Sequence, residues 1–317
     1  MRIGLMDVDG HNYPNIALMK ISAYHKSLGD NVEWYQAFTG HYDKVYLSKV
    51  FSFTEDYEYE IDADVVERGG TGYCITTVNG KEIFDKSKNK ELPYEIEHIY
   101  PDYSIYPEET KDTAYGFLSR GCPRGCDFCI VKEKEGRCST KVADLSEFWN
   151  GQKNIVLCDP NILACREWKQ LLQQLIDSGA TVDFNQGLDM RLMTEEKAMM
   201  LSKIKVRRLH FAWDRIEDKD DIVPKFITFR KHSDLKYWNL QVYVLVGDRE
   251  AKVLDSDLER IYWLRENGYA PYVMIYDKYD LPKGHELKKL QRWVNNRYIF
   301  YSTNTFEDFL KGKNNED

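Results

Sequence analysis

Three cysteines in one short loop, Cys122, Cys126 and Cys129 of Gly121-Cys122-Pro123-Arg124-Gly125-Cys126-Asp127-Phe128-Cys129, are the residues of this chain best suited to metal chemistry. Thiolates hold iron–sulfur clusters, and a cube of four irons takes four ligands. Three thiolates from one loop leave one iron open. An open iron beside a bound small molecule is a place for reaction, whereas a fully ligated cluster mainly passes electrons. Structural zinc is the other use of clustered cysteines; it usually pairs them two apart and completes four ligands with more Cys or His. The histidines nearest to the loop are His98 and His210, and no second Cys-x-x-Cys is present. Cys74, Cys138, Cys158 and Cys165 show no cluster spacing and read as structural residues.

The elements that must position this loop can be read from the apolar runs. Strands are expected at Tyr115 to Leu118, Ile155 to Cys158, Val182 to Phe184, Leu209 to Trp213, Leu240 to Val246 and Tyr272 to Tyr276. Helices are expected at Trp168 to Ile176, Thr194 to Ile204 and Leu258 to Asn267. Strands alternating with helices predict an α/β fold with a parallel sheet and right-handed crossovers. Each strand exits into polar residues: the cysteine loop, Asp159-Pro160-Asn161, Asn185 to Arg191, Asp214-Arg215, Gly247-Asp248-Arg249 and Tyr276-Asp277-Lys278. In parallel α/β barrels reactive groups gather at those strand ends. Ahead of this region, strands at Ile3 to Met6, Val32 to Tyr35, Val45 to Ser48 and Asp62 to Val66, with a helix from Ile16, predict a small βαβ-type unit. The stretch between is polar and rich in Lys, Glu, Pro and Tyr, a linker composition.

The cysteine spacing, three residues and then two with an aromatic residue before the last, resembles the cluster loop of the radical S-adenosylmethionine (SAM) enzymes. The resemblance implies a [4Fe-4S] cluster held by Cys122, Cys126 and Cys129, whose open iron chelates SAM and cleaves it to a 5′-deoxyadenosyl radical. It also implies a six-stranded partial (β/α)6 barrel over 114–281, preceded by a Rossmann-like domain over 1–75 and a linker over 76–113. A helical tail follows over 282–317. The first domain resembles a shortened cobalamin-binding domain, but an Asp-x-His-x-x-Gly loop is missing around His11, so cobalamin is not expected. By position, Asp159 or Asn161 would accept the SAM ammonium, in place of the Gly-Gly-Glu motif common in the superfamily. Asp214 and Gln186 would hold the ribose diol, Phe128 and Gly247 would flank adenine, and Arg191 would clamp the carboxylate. A salt bridge from Arg191 to Asp189 or Glu195 is the plainer reading of that side chain.

Net charge and hydropathy narrow the partners. At 317 residues the chain can bury a deep pocket, and its net charge of −8 argues against extended nucleic-acid binding. No apolar run reaches the roughly 18 residues that a membrane span needs, and Met1 leads directly into a strand, so a cytoplasmic protein is expected. A flavodoxin or ferredoxin would supply the electron. The carboxylates Asp189, Asp214 and Asp277, the candidate catalytic set, would suit a small substrate bearing an amine and a diol, and so a modified nucleoside. Size and layout are closest to the queuine lyases, which release queuine from queuosine or its 5′-phosphate. A cobalamin-lineage methyl or methylthio transferase acting on RNA and a non-catalytic iron–sulfur redox protein are the alternatives.

Overall fold

Ile3, Gly4 and Leu5 are buried in succession, so the chain begins as a short strand covered on both faces. The structure, a computed structural model, describes residues 1–10, 13–78, 81–127 and 129–313. It divides into two compact units, Met1–Glu167 and Trp168–Asp317.

In the first unit, strands β1 (Arg2–Asp7), β2 (Asn31–Trp34), β3 (Tyr42–Ser48) and β4 (Ala63–Gly69) form a parallel sheet in the order β2-β1-β3-β4. Helix Ile16–Ser27 follows β1. Asn15 caps it by accepting from Leu18 N, and the Asn15 amide donates to Ser48 Oγ at 2.8 Å, which ties the helix start to the end of β3. Ile3, Leu5, Leu18, Ile21 and Ile96 form the core on this side. A hairpin of β5 (Ile75–Val78) and β6 (Lys81–Phe84) opens the polar stretch. Further on, the Tyr103 hydroxyl donates to Phe148 O at 2.6 Å and accepts from Tyr115 N at 3.1 Å, so this tyrosine-rich segment is packed on the strand that follows it. That strand is β7 (Thr113–Gly116). The short pair β8 (Ser119–Arg120) and β9 (Thr140–Lys141), antiparallel, brackets the cysteine loop, and β10 (Asn154–Leu157) pairs parallel with β7.

The second unit carries β11 (Thr181–Phe184), β12 (Val206–Ala212), β13 (Leu240–Val246) and β14 (Ala270–Ile275), each parallel to the next. Helices Trp168–Ser178, Glu195–Lys203, Lys219–Lys231, Asp255–Glu266 and Glu286–Asn295 accompany them. Within this unit the strand order is β14-β13-β12-β11. The expected strands are all present, several of them beginning earlier than the apolar run suggests: Thr113 rather than Tyr115, Val206 rather than Leu209, Ala270 rather than Tyr272. Helix Lys219–Lys231 is not among the expected elements, because it is highly charged at its start and holds Pro224 inside. Among the described residues no helix is long and apolar enough to cross a membrane.

One face of the second-unit strands is apolar and meets helices. Phe211 of β12 is fully buried, with its ring 5.2 Å from Phe229, 6.3 Å from Phe226 and 6.4 Å from Tyr269. Phe211→Ala should therefore lower unfolding stability by about 3–5 kcal/mol, read as a shift in the urea midpoint; a change within experimental error would show that this aromatic cluster is not a core.

Candidate functional site

Each of the two units carries candidate site residues. In the first, the chain leaves β8 through Gly121, whose φ is +86° and whose added Cβ would come 2.1 Å from Cys138 O, so only glycine fits there. Cys122 N donates to Gly136 O at 3.2 Å, and Cys129 N to Cys126 O at 3.1 Å, which curls the cysteine loop back on itself. Cys122, Cys126 and Cys129 are all partly buried, and none of the seven cysteines is in a disulfide. Burial pushes the Cys129 thiol up; the Val131 backbone offsets this in part, and the charge of nearby Cys122 adds to the rise. Poorly hydrated thiolates that oppose each other's ionisation are stabilised by binding a cation. Among the described residues no three Cys, His, Asp or Glu side chains converge where they would grip a single ion. A cube does not ask for that, because each thiolate binds a different iron. Phe128 lies outside the described residues.

Asp159 and Asn161 follow β10 and are 4% and 2% exposed. Asp159 accepts from Leu118 N at 2.9 Å, Ser119 N at 2.5 Å and Ser119 Oγ at 2.6 Å, so both its oxygens are engaged by the strand that enters the cysteine loop. Burial raises its pKa to about 6 against the pull of those donors. Asn161 Nδ2 donates to Cys122 Sγ at 3.4 Å, and its carbonyl accepts from Ser139 Oγ at 2.9 Å. Hydrogen bonds to a ligating sulfur tune a cluster's potential. A contact that the sequence does not signal is Tyr13, in the loop before the first helix. Its hydroxyl is 3.4 Å from Cys158 Sγ, and its ring meets Tyr115 edge-on at 5.4 Å.

In the second unit, Asp189 caps the turn Met190–Leu192 and accepts from Arg191 Nε at 2.8 Å. Arg191 also reaches Asp218 at 3.3 Å, so the Asp189 pairing read as the plainer alternative is present. Asp214, after β12, has its pKa raised to about 6 by burial, with Arg260 the chief opposing influence and Arg191 and Asp218 also within range. Asp189, Arg191 and Asp214 are thus brought together. Arg260 is the residue that sequence reading missed. It is 3% exposed and donates to Trp213 O at 2.8 Å, to Asp214 O, to Leu245 O at 3.0 Å and to Asp257 at 2.6 Å. One guanidinium thereby holds the ends of β12 and β13 in fixed relation. Gln186 is exposed in a turn, Asp277 is exposed at φ +49°, and Gly247 stands after β13 at φ +81°.

The strand face away from the apolar helix contacts is polar and aromatic. His210 stacks on Tyr243, with centroids 5.4 Å apart and planes 18° apart, Tyr243 meets Tyr272 at 5.8 Å, and Asp183 lies 3.9 Å from His210 Nδ1. The period-two pattern puts Asp183, His210, Tyr243 and Tyr272 on this face, yet a strand of such residues carries no motif to mark it.

No protein-family model matches the chain, and no curated protein does. Among solved structures the chain is similar to a radical S-adenosylmethionine methyltransferase, TsrM, from Kitasatospora setae, which holds cobalamin and a [4Fe-4S] cluster. The TM-score is 0.60 at 10% identity, over 86% of this chain and 74% of that one. The likeness is one of fold alone, a mixed α/β chain built on parallel strands.

The raised carboxylate of Asp214 has a consequence for stability. Between about pH 4, the ordinary carboxylate range, and about pH 6 the folded chain keeps a proton on Asp214 that the unfolded chain has released. Stability contributed by this group therefore falls as pH rises through that window. Asp214→Asn should narrow the difference in urea midpoint between pH values on either side of the window, while an unchanged difference would show that Asp214 is not desolvated.

Proposed function

We propose that this protein is a radical SAM enzyme, with a [4Fe-4S] cluster on Cys122, Cys126 and Cys129 and SAM at its open iron. The observation that carries the reading is the curled loop of three partly buried cysteines, the first of them bonded by the Asn161 amide, on a fold shared with a radical SAM methyltransferase. A cluster held there would supply, once reduced, the electron for reductive cleavage of SAM and so for hydrogen abstraction from substrate. The chain's own part is to bind and orient. Asp159 keeps the loop's entry strand in place through its three hydrogen bonds, and Asn161 donates to the Cys122 sulfur. Asp214 and Gln186 are assigned the SAM ribose diol, Gly247 the flank of adenine, and Arg191 the methionyl carboxylate. The six strands are assigned to a partial barrel, the first 75 residues to a Rossmann-like domain, and electron supply to a flavodoxin or ferredoxin.

The substrate reading is a queuosine-type nucleoside, cleaved to release queuine. Its secondary ammonium and cyclopentenediol match the carboxylates Asp189, Asp214 and Asp277 in charge and in hydrogen bonding. The likeness to TsrM favours a second reading, a methyl or methylthio transfer of the cobalamin lineage.

Anaerobically reconstituted protein given SAM, a reductant and queuosine or its 5′-phosphate should yield queuine and 5′-deoxyadenosine in step. Asp214→Ala should weaken SAM binding about tenfold, the size expected for a lost hydrogen bond to a charged group, with no loss of iron. If neither nucleoside raises 5′-deoxyadenosine above the substrate-free background, the lyase reading fails while the radical SAM reading stands. Tight co-purification of cobalamin would move the assignment to the transferase.

A further inference from the structure

At the opposite end of β13 from Gly247, a groove of about 660 Å³ is lined by Tyr237, Trp238, Arg297, Tyr298, Tyr301 and Ser302. With β13 seven residues long, the groove stands about 20 Å from the Asp214 end of the strand, so it is a separate feature. Its aromatic side chains are unusually open to water for their size: Tyr298 is 83% exposed, Trp238 46% and Tyr301 38%. Trp238 and Tyr301 are also held in place, and the Arg297 guanidinium lies 5.9 Å from the Tyr298 ring centre. Tyr237 meets both Trp238 and Tyr301 edge-on with centroids 5.1 Å apart, and the Arg265 guanidinium lies 5.3 Å from the Tyr301 ring while donating to Thr303 O and Asn304 O. Edge-to-face packing leaves ring faces available for a third ring to stack on.

The charges around the groove decide what kind of ring that is. Arg297 is on its wall, Lys236 precedes Tyr237, and Arg207 is adjacent through the hydrogen bond from Asn239 Nδ2 to Arg207 O at 2.9 Å. All three are exposed, and among the described residues no carboxylate is within salt-bridge distance of any of them. Arg207 also belongs to the run Lys203 to Arg208, which has four cations and no acid; Asp234 is the one acid in the loop before Tyr237. An aromatic groove of this kind also fits a proline-rich peptide, but such a ligand has no need of unpaired cations. Open aromatic faces bordered by unpaired Arg and Lys suit stacked bases joined by phosphates.

We propose that this groove binds a short single-stranded stretch of nucleic acid, stacking one or two unpaired bases on Trp238 and Tyr298 while Arg297, Lys236 and Arg207 meet the phosphates. The chain's overall negative charge confines the contact to this patch.

The test uses the full chain and a fluorescently labelled oligouridylate of about ten nucleotides, near the upper half of the site sizes known for single-strand binders, with anisotropy as the readout. Binding should weaken steeply with added salt. Trp238→Ala and Tyr298→Ala should each raise Kd roughly tenfold, as expected when a stacking ring is removed, and Arg297→Gln should reduce the salt slope. The side chains are exposed, so far-UV circular dichroism should match the parent chain. A mononucleotide should bind far more weakly than the oligonucleotide. No binding of the oligonucleotide, or affinity unchanged in both aromatic variants, would overturn the proposal; so would preference for a proline-rich peptide over the oligonucleotide.

Discussion

A carboxylate that is 4% exposed must be compensated by whatever surrounds it, and for Asp159 the compensating groups are the backbone N–H of Leu118, the backbone N–H of Ser119 and the Ser119 hydroxyl. These donors lie three and four residues ahead of Cys122. The same strand exit supplies Asn161, whose amide reaches the Cys122 sulfur. The cysteine loop is therefore not a free excursion. Its start is fixed by a buried charge, its course by Gly121, and its first thiol by the side-chain amide of Asn161, whose backbone carbonyl accepts from Ser139.

The second unit uses the opposite charge in the same way. Arg260 is buried among backbone carbonyls of Trp213, Asp214 and Leu245 and balanced by Asp257. Breaking such a pair by removing one member typically costs about 3–5 kcal/mol, because the survivor is left buried and uncompensated. In return it sets where Asp214 stands. Each unit thus has one buried charge that orders loop backbone next to residues assigned to ligand binding.

Much of this was legible in the chain. The cysteine loop stood out by its spacing, and the strands showed as apolar runs between polar turns. Their starts were displaced because ladder pairing begins in residues such as Val206 to Arg208, where charged side chains interrupt the apolar run. Helix Lys219–Lys231 was hidden by its acidic first turn and by Pro224. Asp159 was singled out by position as a SAM ligand, whereas the role visible in the fold is to accept from backbone donors 40 and 41 residues away, a long-range fact that no local pattern carries. Arg260 was missed for a related reason: Asp257 and Arg260, three apart on a helix, look the same in sequence as a solvent-exposed ion pair. Tyr13 and the His210–Tyr243 stack are likewise products of topology.

The central claim is that the three cysteines hold a cluster with one iron open to SAM. Electron paramagnetic resonance of the reconstituted, reduced protein with and without SAM tests it most directly. The account predicts about four irons per chain and a signal of a reduced [4Fe-4S] cluster whose g-values shift when SAM is added. A chain that takes up zinc instead, or a cluster signal indifferent to SAM, would contradict it.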